Sequence, residues 1–440
     1  MEDLKIYEAA GCNDVAFVKE ALEGKFGEQL KDDLELALHM AATNGHLDCL
    51  TLLLEHKVSV HARNGSEETA LMLAAQGDHV TLVSKLLERG ANVHDQNCMG
   101  YTALMKACEF GHIRTVELLL KHGASVSPVE HGGDEHHGIP NGLPNGSAKN
   151  LLPKYMPHGY TALMILVLKQ PDNFKKIMKL LLEANMPVNE MDLENTTVLL
   201  HAATKCTADV IEMLLEAGAE VNTTDVWGVT PVMSAAGYNK TDNVKVLLRY
   251  GADVSISCKA KRTVLSVAAR TGSEELINII LEAGADPEHK DAHGRTPLFI
   301  AIMHYNYAGI KCLIRAGCDL TVSCRDMTTF QVMSYFECAL SRKSVHMIDM
   351  LFKAGACSNK DIFEVSTDEK FKEQCADKPE IFILLNKMLS TPKCLRYICR
   401  KGIRDCIVKP LPRSVSFLSL PKSLKDYLLY SDIILPVEEI

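Results

Sequence analysis

The chain of 440 residues repeats itself with a period of 33, and this period narrows the possible folds more than any other feature. A threonine that opens an apolar segment recurs along most of the chain, and five of the seven steps between successive threonines are 33 residues. These threonines are Thr69, Thr102, Thr161, Thr197, Thr230, Thr263, Thr296 and Thr329. Such a period is typical of stacked units that bury apolar surface against their neighbours. The sequence therefore predicts a repeat architecture and not a globular domain with one core.

Each unit carries the same features in the same order. A small pair such as Ala74-Ala75 follows the threonine, and small side chains let two helices approach closely. A second apolar segment contains adjacent aliphatic residues such as Leu86-Leu87 and ends at a glycine such as Gly90. Glycine closes the last turn of a helix because it adopts the left-handed conformation without a steric penalty. The pattern predicts two helices per unit, with the core between units.

Several of these strings resemble the ankyrin family. Thr230-Pro231 and Thr296-Pro297-Leu298 match the start of the first ankyrin helix, while Gly90-Ala91-Asn92 and Gly251-Ala252-Asp253 match the segment after the second. The resemblance covers residues 1–358. It implies an all-α repeat solenoid of about ten ankyrin repeats, the first of them a degenerate unit around Ala9-Ala10 that caps the stack.

The period is disturbed in two places. Counted from Thr329, the tenth unit has Ser334-Tyr335 where the alanine pair is expected, and Gly355 comes five residues late, which predicts a longer helix or turn. Between Ser127 and Pro157 the period is broken by 26 residues rich in Gly, Pro, Asn and His. We predict a flexible insert at 127–158 that separates two groups of repeats, 1–126 and 159–358.

The histidines do not form a recognisable metal or catalytic motif. His131, His136 and His137 lie in the insert without accompanying cysteines or regularly spaced carboxylates, so we interpret them as solvated side chains. His39 and His201 occupy a position in the repeat where a hydrogen bond that ties adjacent loops is expected. The chain has no phosphate-binding glycine loop, nucleophile elbow or His-Glu-x-x-His helix. We therefore expect no enzymatic activity, no metal and no cofactor.

Charge and cysteine usage restrict the remaining functions. The formal net charge is −9 at pH 7, whereas nucleic-acid binding requires a dominant basic face. The sequence has no secretory signal and no apolar run near the ~18 residues of a membrane span, so no membrane partner is expected. The 15 cysteines are scattered singly, and Cys312, Cys318 and Cys324 are spaced too widely for a zinc module. We interpret them as reduced core residues of a cytoplasmic or nuclear protein.

The last 80 residues have a different character. Residues 359–390 are predicted to form a connecting helical segment, and Thr391-Pro392 then offers a new helix start. Leu395, Cys399 and Ile403 fall four residues apart, so they share one face of a helix. The stretch from Leu418 to Leu428 contains a second motif, a turn that leads into a short amphipathic helix. From residue 393 to 425 the chain carries nine basic residues and one acidic residue, which leaves −17 on the rest.

Together these two motifs resemble a SOCS box, which we assign to 391–432. The resemblance implies that Leu395, Cys399 and Ile403 bind elongin C, the partner of elongin B. It further implies that a second segment selects cullin-5 with its RING partner. That segment comprises Leu420, Pro421, Leu424 and Tyr427. Ser419 stands where the family has the first proline of this segment, although Pro410-Leu411-Pro412 lies just upstream.

These resemblances predict a substrate-recognition adaptor of an elongin B/C–cullin–RING ubiquitin ligase, which leads its target to proteasomal degradation. The expected target surface is the concave face formed by hairpin tips and first helices, where Trp227 is either an exposed anchor or packs on the next hairpin. Two alternatives remain. The chain could be an ankyrin scaffold whose tail is only a helical cap, or an enzyme or enzyme regulator that acts through the histidine-containing insert.

Overall fold

The computed structural model describes residues 5–24, 31–124, 159–325 and 332–390. Twenty-three helices and two short strands lie in these ranges. The chain divides into two compact units, Met1–Glu220 and Val221–Ile440, each built from successive helix pairs.

The first unit contains six helix pairs, in which the odd-numbered member is the first helix of a repeat. They are α1 Ile6–Gly11 and α2 Val15–Leu22; α3 Lys31–Asn44 and α4 Leu47–Glu55; α5 Ala70–Gln76 and α6 Val80–Glu88; α7 Ala103–Phe110 and α8 Ile113–Lys121; α9 Ala162–Lys169 and α10 Phe174–Glu183; α11 Val198–Lys205 and α12 Ala208–Glu216. The small residues Ala9 and Ala10 of α1 are fully buried, and α1 packs against α3, so the degenerate first repeat shares a core with the second.

The second unit contains four helix pairs, followed by three further helices. They are α13 Pro231–Gly237 and α14 Thr241–Arg249; α15 Val264–Thr271 and α16 Glu274–Glu282; α17 Pro297–Met303 and α18 Tyr307–Ala316; α19 Tyr335–Ser341 and α20 Val345–Ala354; then α21 Asn359–Thr367, α22 Glu369–Gln374 and α23 Pro379–Ser390. Antiparallel strands β1 Ser323–Arg325 and β2 Val332–Ser334 precede α19. The ten pairs in the described residues confirm the predicted number of repeats.

The recurring threonines from Thr69 to Thr296 begin first helices as predicted. Thr230, Thr263 and Thr296 each have extended backbone, and each side chain accepts a hydrogen bond from the backbone N–H three residues later. This contact satisfies one of the amides that the first turn of a helix leaves without a partner. Pro231 and Pro297 follow two of these caps, at a position that needs no N–H donor.

The alanine pairs lie where the first helices of successive repeats meet. Helix α15 packs against both α13 and α17, and its Ala268 and Ala269 have no exposed surface. Leu247 and Ile280 from the second helices are likewise fully buried. The apolar core is therefore continuous along the repeats within this unit, as the periodic pattern predicts.

The tenth repeat corrects one expectation from the sequence. Its first helix begins after Ser334 and not after Thr329, because the Ser334 hydroxyl accepts the N–H of Glu337 while the Glu337 carboxylate accepts the N–H of Ser334. This reciprocal pair is a capping box. Counted from Ser334, buried Ala339 falls at a position of the small pair and Gly355 closes α20 at the regular distance. The five extra residues come before the helix, and the helix pair itself has normal length.

Candidate functional site

The turn that carries Trp227 is held by the carboxylate of Asp225. One oxygen of this carboxylate accepts the backbone N–H groups of Trp227 and Val229, both at 2.8 Å. The backbone of Asp225 also bonds to both sides of the turn, because its carbonyl accepts from Gly228 at 2.9 Å and its N–H donates to Val229 at 3.2 Å. Gly228 has φ +76°, a conformation that favours glycine. These contacts define the position of Trp227 at the tip.

The same turn recurs in four other repeats. In each, a side-chain oxygen of Asn or Asp accepts the N–H groups two and four residues later. The four residues are Asn64, Asn97, Asp192 and Asp291. Asn and Asp suit this position because their short side chains reach their own backbone two residues ahead. Each of these repeats therefore presents a tip residue at an equivalent position, and the type of side chain at that position differs from repeat to repeat.

Trp227 is 66% exposed although its backbone is anchored to the next hairpin. The N–H of Lys259 donates to the carbonyl of Trp227 at 2.8 Å. A Cβ added at Gly228 would lie 3.2 Å from the backbone of Cys258, so the two hairpins are in close contact there. The backbone of the tip is thus well supported while the side chain remains accessible.

A second exposed aromatic residue belongs to the same repeat. Tyr238 directly follows α13 and is 68% exposed. Exposed aromatic side chains supply much of the binding energy of protein interfaces because they bury a large area at low entropic cost. Trp227 and Tyr238 are therefore the aromatic candidates of this repeat for contact with a partner.

A basic groove of about 270 Å³ lies between hairpin residues and first helices of the eighth and ninth repeats. It is lined by Arg262, Ser266, Val267, Arg270, Arg295, Ile300, Met303 and His304. We call it the arginine groove. Its residues come from the surface on which target binding is expected, the hairpins and the first helices.

The positive charges of the arginine groove are only partly neutralised. The buried carboxylate of Asp291 accepts two hydrogen bonds from Arg295, from Nε at 2.9 Å and from Nη2 at 2.7 Å. The same carboxylate oxygen is 4.0 Å from Arg262 Nε, so one acid serves two arginines. Arg270 forms no ion pair with any described residue. Arg342, next to the groove, donates to the sulfur of Met303 at 2.9 Å and likewise has no carboxylate partner in the described part of the chain.

The excess of positive charge affects the pKa of His304. Partial burial lowers its pKa below the ordinary 6.5, and the positive charges of four arginines lower it further. These are Arg270, Arg342, Arg295 and Arg262. His304 is therefore neutral at pH 7, and the groove has the electrostatic character of a site for an anion.

Sequence reasoning missed the arginine groove, although one signal pointed to it. Arg262 and Arg295 are 33 residues apart, and each directly precedes a capping threonine. They therefore occupy equivalent positions in successive repeats. The net charge of −9 concealed this local cluster, because a sum over the chain does not report where charges meet.

His39 and His201 form structural hydrogen bonds, and Cys312 is a buried thiol. His39 Nε2 donates to the carbonyl of Ala62 at 3.0 Å and so ties α3 to the following loop, as expected. His201 bonds at 3.0 Å to Asp192 in the hairpin of its own repeat. Burial raises the pKa of Cys312 to about 12, which makes its thiol a poor metal ligand. No group of three or more potential metal ligands occurs among the described residues.

Most sequence-predicted site residues lie outside the described residues. These are Leu395, Cys399, Ile403, Leu420, Pro421, Leu424 and Tyr427, together with His131, His136 and His137 of the insert. Within the described ranges, no helix is long and apolar enough to cross a membrane.

Two family models match the sequence. The model for ankyrin repeats in three copies matches residues 6–97, 38–129, 139–225, 218–291 and 265–361. The SOCS box model matches residues 391–429. No curated protein matches the chain.

Similar solved structures are also ankyrin repeat domains. The human ASB11 ankyrin repeat domain is 26% identical with a TM-score of 0.44, over 57% of this chain and 98% of that one. The ankyrin repeat domain of Bcl-3, a member of the IkappaB family, is 26% identical with a TM-score of 0.43, over 56% of this chain and 97% of that one.

Proposed function

Because the chain belongs to the ankyrin-repeat proteins that also carry a SOCS box, we propose that it is the substrate-recognition subunit of a ubiquitin ligase containing elongin B, elongin C, cullin-5 and a RING protein. The observation that carries the proposal is the presence of both modules in one chain. Ankyrin repeats bind proteins, and a SOCS box connects its carrier to elongins and a cullin. Both are non-catalytic adaptor modules, so ubiquitin transfer is performed by the partners. The consequence for the target is proteasomal degradation, in the cytoplasm or nucleus.

The two ends of this adaptor have separate tasks. In the SOCS box, Leu395, Cys399 and Ile403 enter the groove of elongin C, and the stripe that they form on the predicted helix supports this role. The segment with Leu420, Pro421, Leu424 and Tyr427 contacts cullin-5. In the sequence Leu420-Pro421 retains the second half of the cullin motif, while Ser419 replaces its first proline.

The repeats hold the target, and Trp227 is the proposed aromatic anchor. Its exposure of 66% and its well-supported backbone favour this role, because a pre-organised backbone loses little entropy on binding. Tyr238 of the same repeat adds a second exposed ring.

Capture of purified elongin B/C by the full-length protein tests the proposal. We expect the wild type to retain elongin B/C and Leu395→Ala to lose most of this capture, because removing a buried leucine costs about 2–5 kcal/mol. Lys401→Ala is the matched control, since residue 401 falls on the opposite side of the predicted helix from the Leu-Cys-Ile stripe. Addition of cullin-5 or cullin-2 to the captured complex then identifies the cullin.

Two results would contradict the proposal. If Leu395→Ala and Lys401→Ala capture equal amounts of elongin B/C, the stripe is not the contact. If the wild type captures no elongin B/C, the chain is a scaffold whose tail only caps the repeats. Preference for cullin-2 would correct the choice of cullin and retain the adaptor role.

A further inference from the structure

We propose that the arginine groove binds an extended acidic segment of the target protein, rich in Asp and Glu. This inference rests on the proposed function, since it states which chemistry of the target the repeats recognise. It concerns a site separate from Trp227, on the eighth and ninth repeats.

The arginines at the groove differ from a comparable cation of an earlier repeat in a way that supports a ligand. In the first unit, Lys106 on a first helix lies 2.9 Å from the Glu68 carboxylate, and both side chains are largely buried. The cation there has a partner supplied by the fold. Arg270 in the arginine groove and Arg342 beside it have no carboxylate partner among the described residues. Water solvates the exposed Arg270, but neighbouring like charges still repel one another, and a bound anion would relieve this repulsion.

The lining of the groove indicates what accompanies the carboxylates. Val267, Ile300 and Met303 contribute apolar surface between the charged side chains. An extended peptide that alternates acidic and apolar residues would place carboxylates on the arginines and an apolar side chain over this floor. Arginine suits the first contact because its planar guanidinium binds a carboxylate through two parallel hydrogen bonds.

The charge of the whole chain favours a short acidic peptide over a nucleic acid. A nucleic acid gains its affinity from many phosphate contacts along an extended basic surface. This chain has a net charge of −9, so a long polyanion would be repelled beyond the groove. A local cluster of arginines on an acidic protein instead matches a local cluster of carboxylates.

Fluorescence anisotropy with the full-length protein tests the inference. The probe is a labelled pool of short peptides composed of Asp, Glu, Leu and Ser, and the reference is the same pool with Asn and Gln in place of the acids. We expect only the acidic pool to bind, with an affinity that falls as salt is added. The double variant R270Q/R342Q should weaken binding roughly tenfold, since two charge contacts are lost.

Arg114→Gln is the matched control. Arg114 is an exposed arginine on α8, a second helix, and it forms no ion pair with a described residue. The Arg114→Gln variant should bind the acidic pool as the wild type does. Thermal unfolding of all variants verifies that they are folded, and Arg270→Gln alone provides a milder substitution at an exposed position.

The pH dependence gives a second readout. Partial burial holds the pKa of His304 below 6.5 in the free protein, and the charges of the surrounding arginines lower it further; these are Arg270, Arg342, Arg295 and Arg262. A bound carboxylate offsets these charges and raises the pKa, so binding takes up a proton and tightens as the pH falls below neutral. His304→Gln should remove this gain while it retains binding at neutral pH.

Three outcomes would overturn the inference. They are equal binding of the acidic and uncharged pools, binding by R270Q/R342Q within about twofold of the wild type, and tighter binding of a short single-stranded DNA than of the acidic pool. The peptide assay contains no elongin, so its failure would leave elongin capture intact as evidence for the adaptor. Conversely, failed capture of elongin B/C would not alter the peptide result.

Discussion

The aspartate at the hairpin turn makes different contacts in two equivalent repeats. Asp225 and Asp291 both accept the backbone N–H groups two and four residues later. Asp291 additionally binds the Arg295 guanidinium. Burial pushes the pKa of Asp291 up, but hydrogen bonds from Arg295 and from the backbone outweigh it, so the pKa lies below the usual 3.8. The stabilising charge is complete above about pH 4 and is lost as the pH falls through the lowered pKa.

Asp291→Asn should therefore destabilise the ninth repeat, whereas Asp225→Asn should be nearly neutral. Asparagine preserves the turn, as Asn64 and Asn97 do in other repeats. At position 291, however, an amide NH₂ would face the donors of Arg295 and leave that cation without its acid. We expect a loss of about 2–3 kcal/mol, somewhat less than for a fully buried pair because the Arg295 side chain is 13% exposed.

Hydrogen exchange of α17 and urea unfolding would measure this difference. A local probe is preferable, because each repeat is stabilised only by itself and its neighbours, and global unfolding need not follow two states. Equal exchange rates in the two variants would show that the Arg295–Asp291 contact contributes nothing beyond the turn.

The start of helix α19 is decided by its capping box. Ser334 and Glu337 satisfy each other's backbone N–H groups at the first turn. Ser334→Ala should therefore cost about 1 kcal/mol and increase hydrogen exchange at the start of α19. Thr329→Ala leaves the capping box intact and should change stability by less than about 0.5 kcal/mol. A larger loss of stability for Thr329→Ala than for Ser334→Ala would contradict the assignment of Ser334 as the cap.

The repeat period made most of the fold predictable. Capping threonines, alanine pairs and terminal glycines recur at fixed distances, so ten helix pairs follow from local signals that agree with one another. The predicted start of the tenth repeat was wrong, because Thr329 lies one period after Thr296 whereas the helix begins after Ser334. A threonine alone does not distinguish a cap from a preceding loop. Glu337, three residues after Ser334, was the signal that resolves the choice.

The candidate site was less predictable than the fold. Trp227 could be assigned to a tip because Gly228 marks the turn, whereas its exposure depends on what the neighbouring hairpin covers. The arginine groove combines residues from 262 to 304 and lies beside Arg342, and this proximity arises only when successive repeats pack. Equivalent positions in a repeat lie near each other in space, so periodic charge would have to be examined position by position.

The insert at 127–158 separates the fourth and fifth repeats in sequence without interrupting their contacts. Helix α9 packs on α7, Lys169 lies 2.7 Å from the Glu109 carboxylate, and the Asn173 side chain donates to the carbonyl of Gly111 at 3.1 Å. All of these groups remain when residues 131–156 are removed, and the 33-residue distance between Thr102 and Thr161 is then restored.

We expect this deletion variant to unfold at the same temperature as the wild type or slightly above it. Shortening the connection reduces the entropy lost when its ends meet, by about 1 kcal/mol for roughly two halvings of length. Capture of elongin B/C and binding of the acidic peptide pool should be unchanged, because the deleted residues belong to neither proposed site. Differential scanning fluorimetry and the two binding assays measure these properties. Loss of binding by a folded deletion variant would assign the function to the insert and its histidines, as the regulator alternative requires.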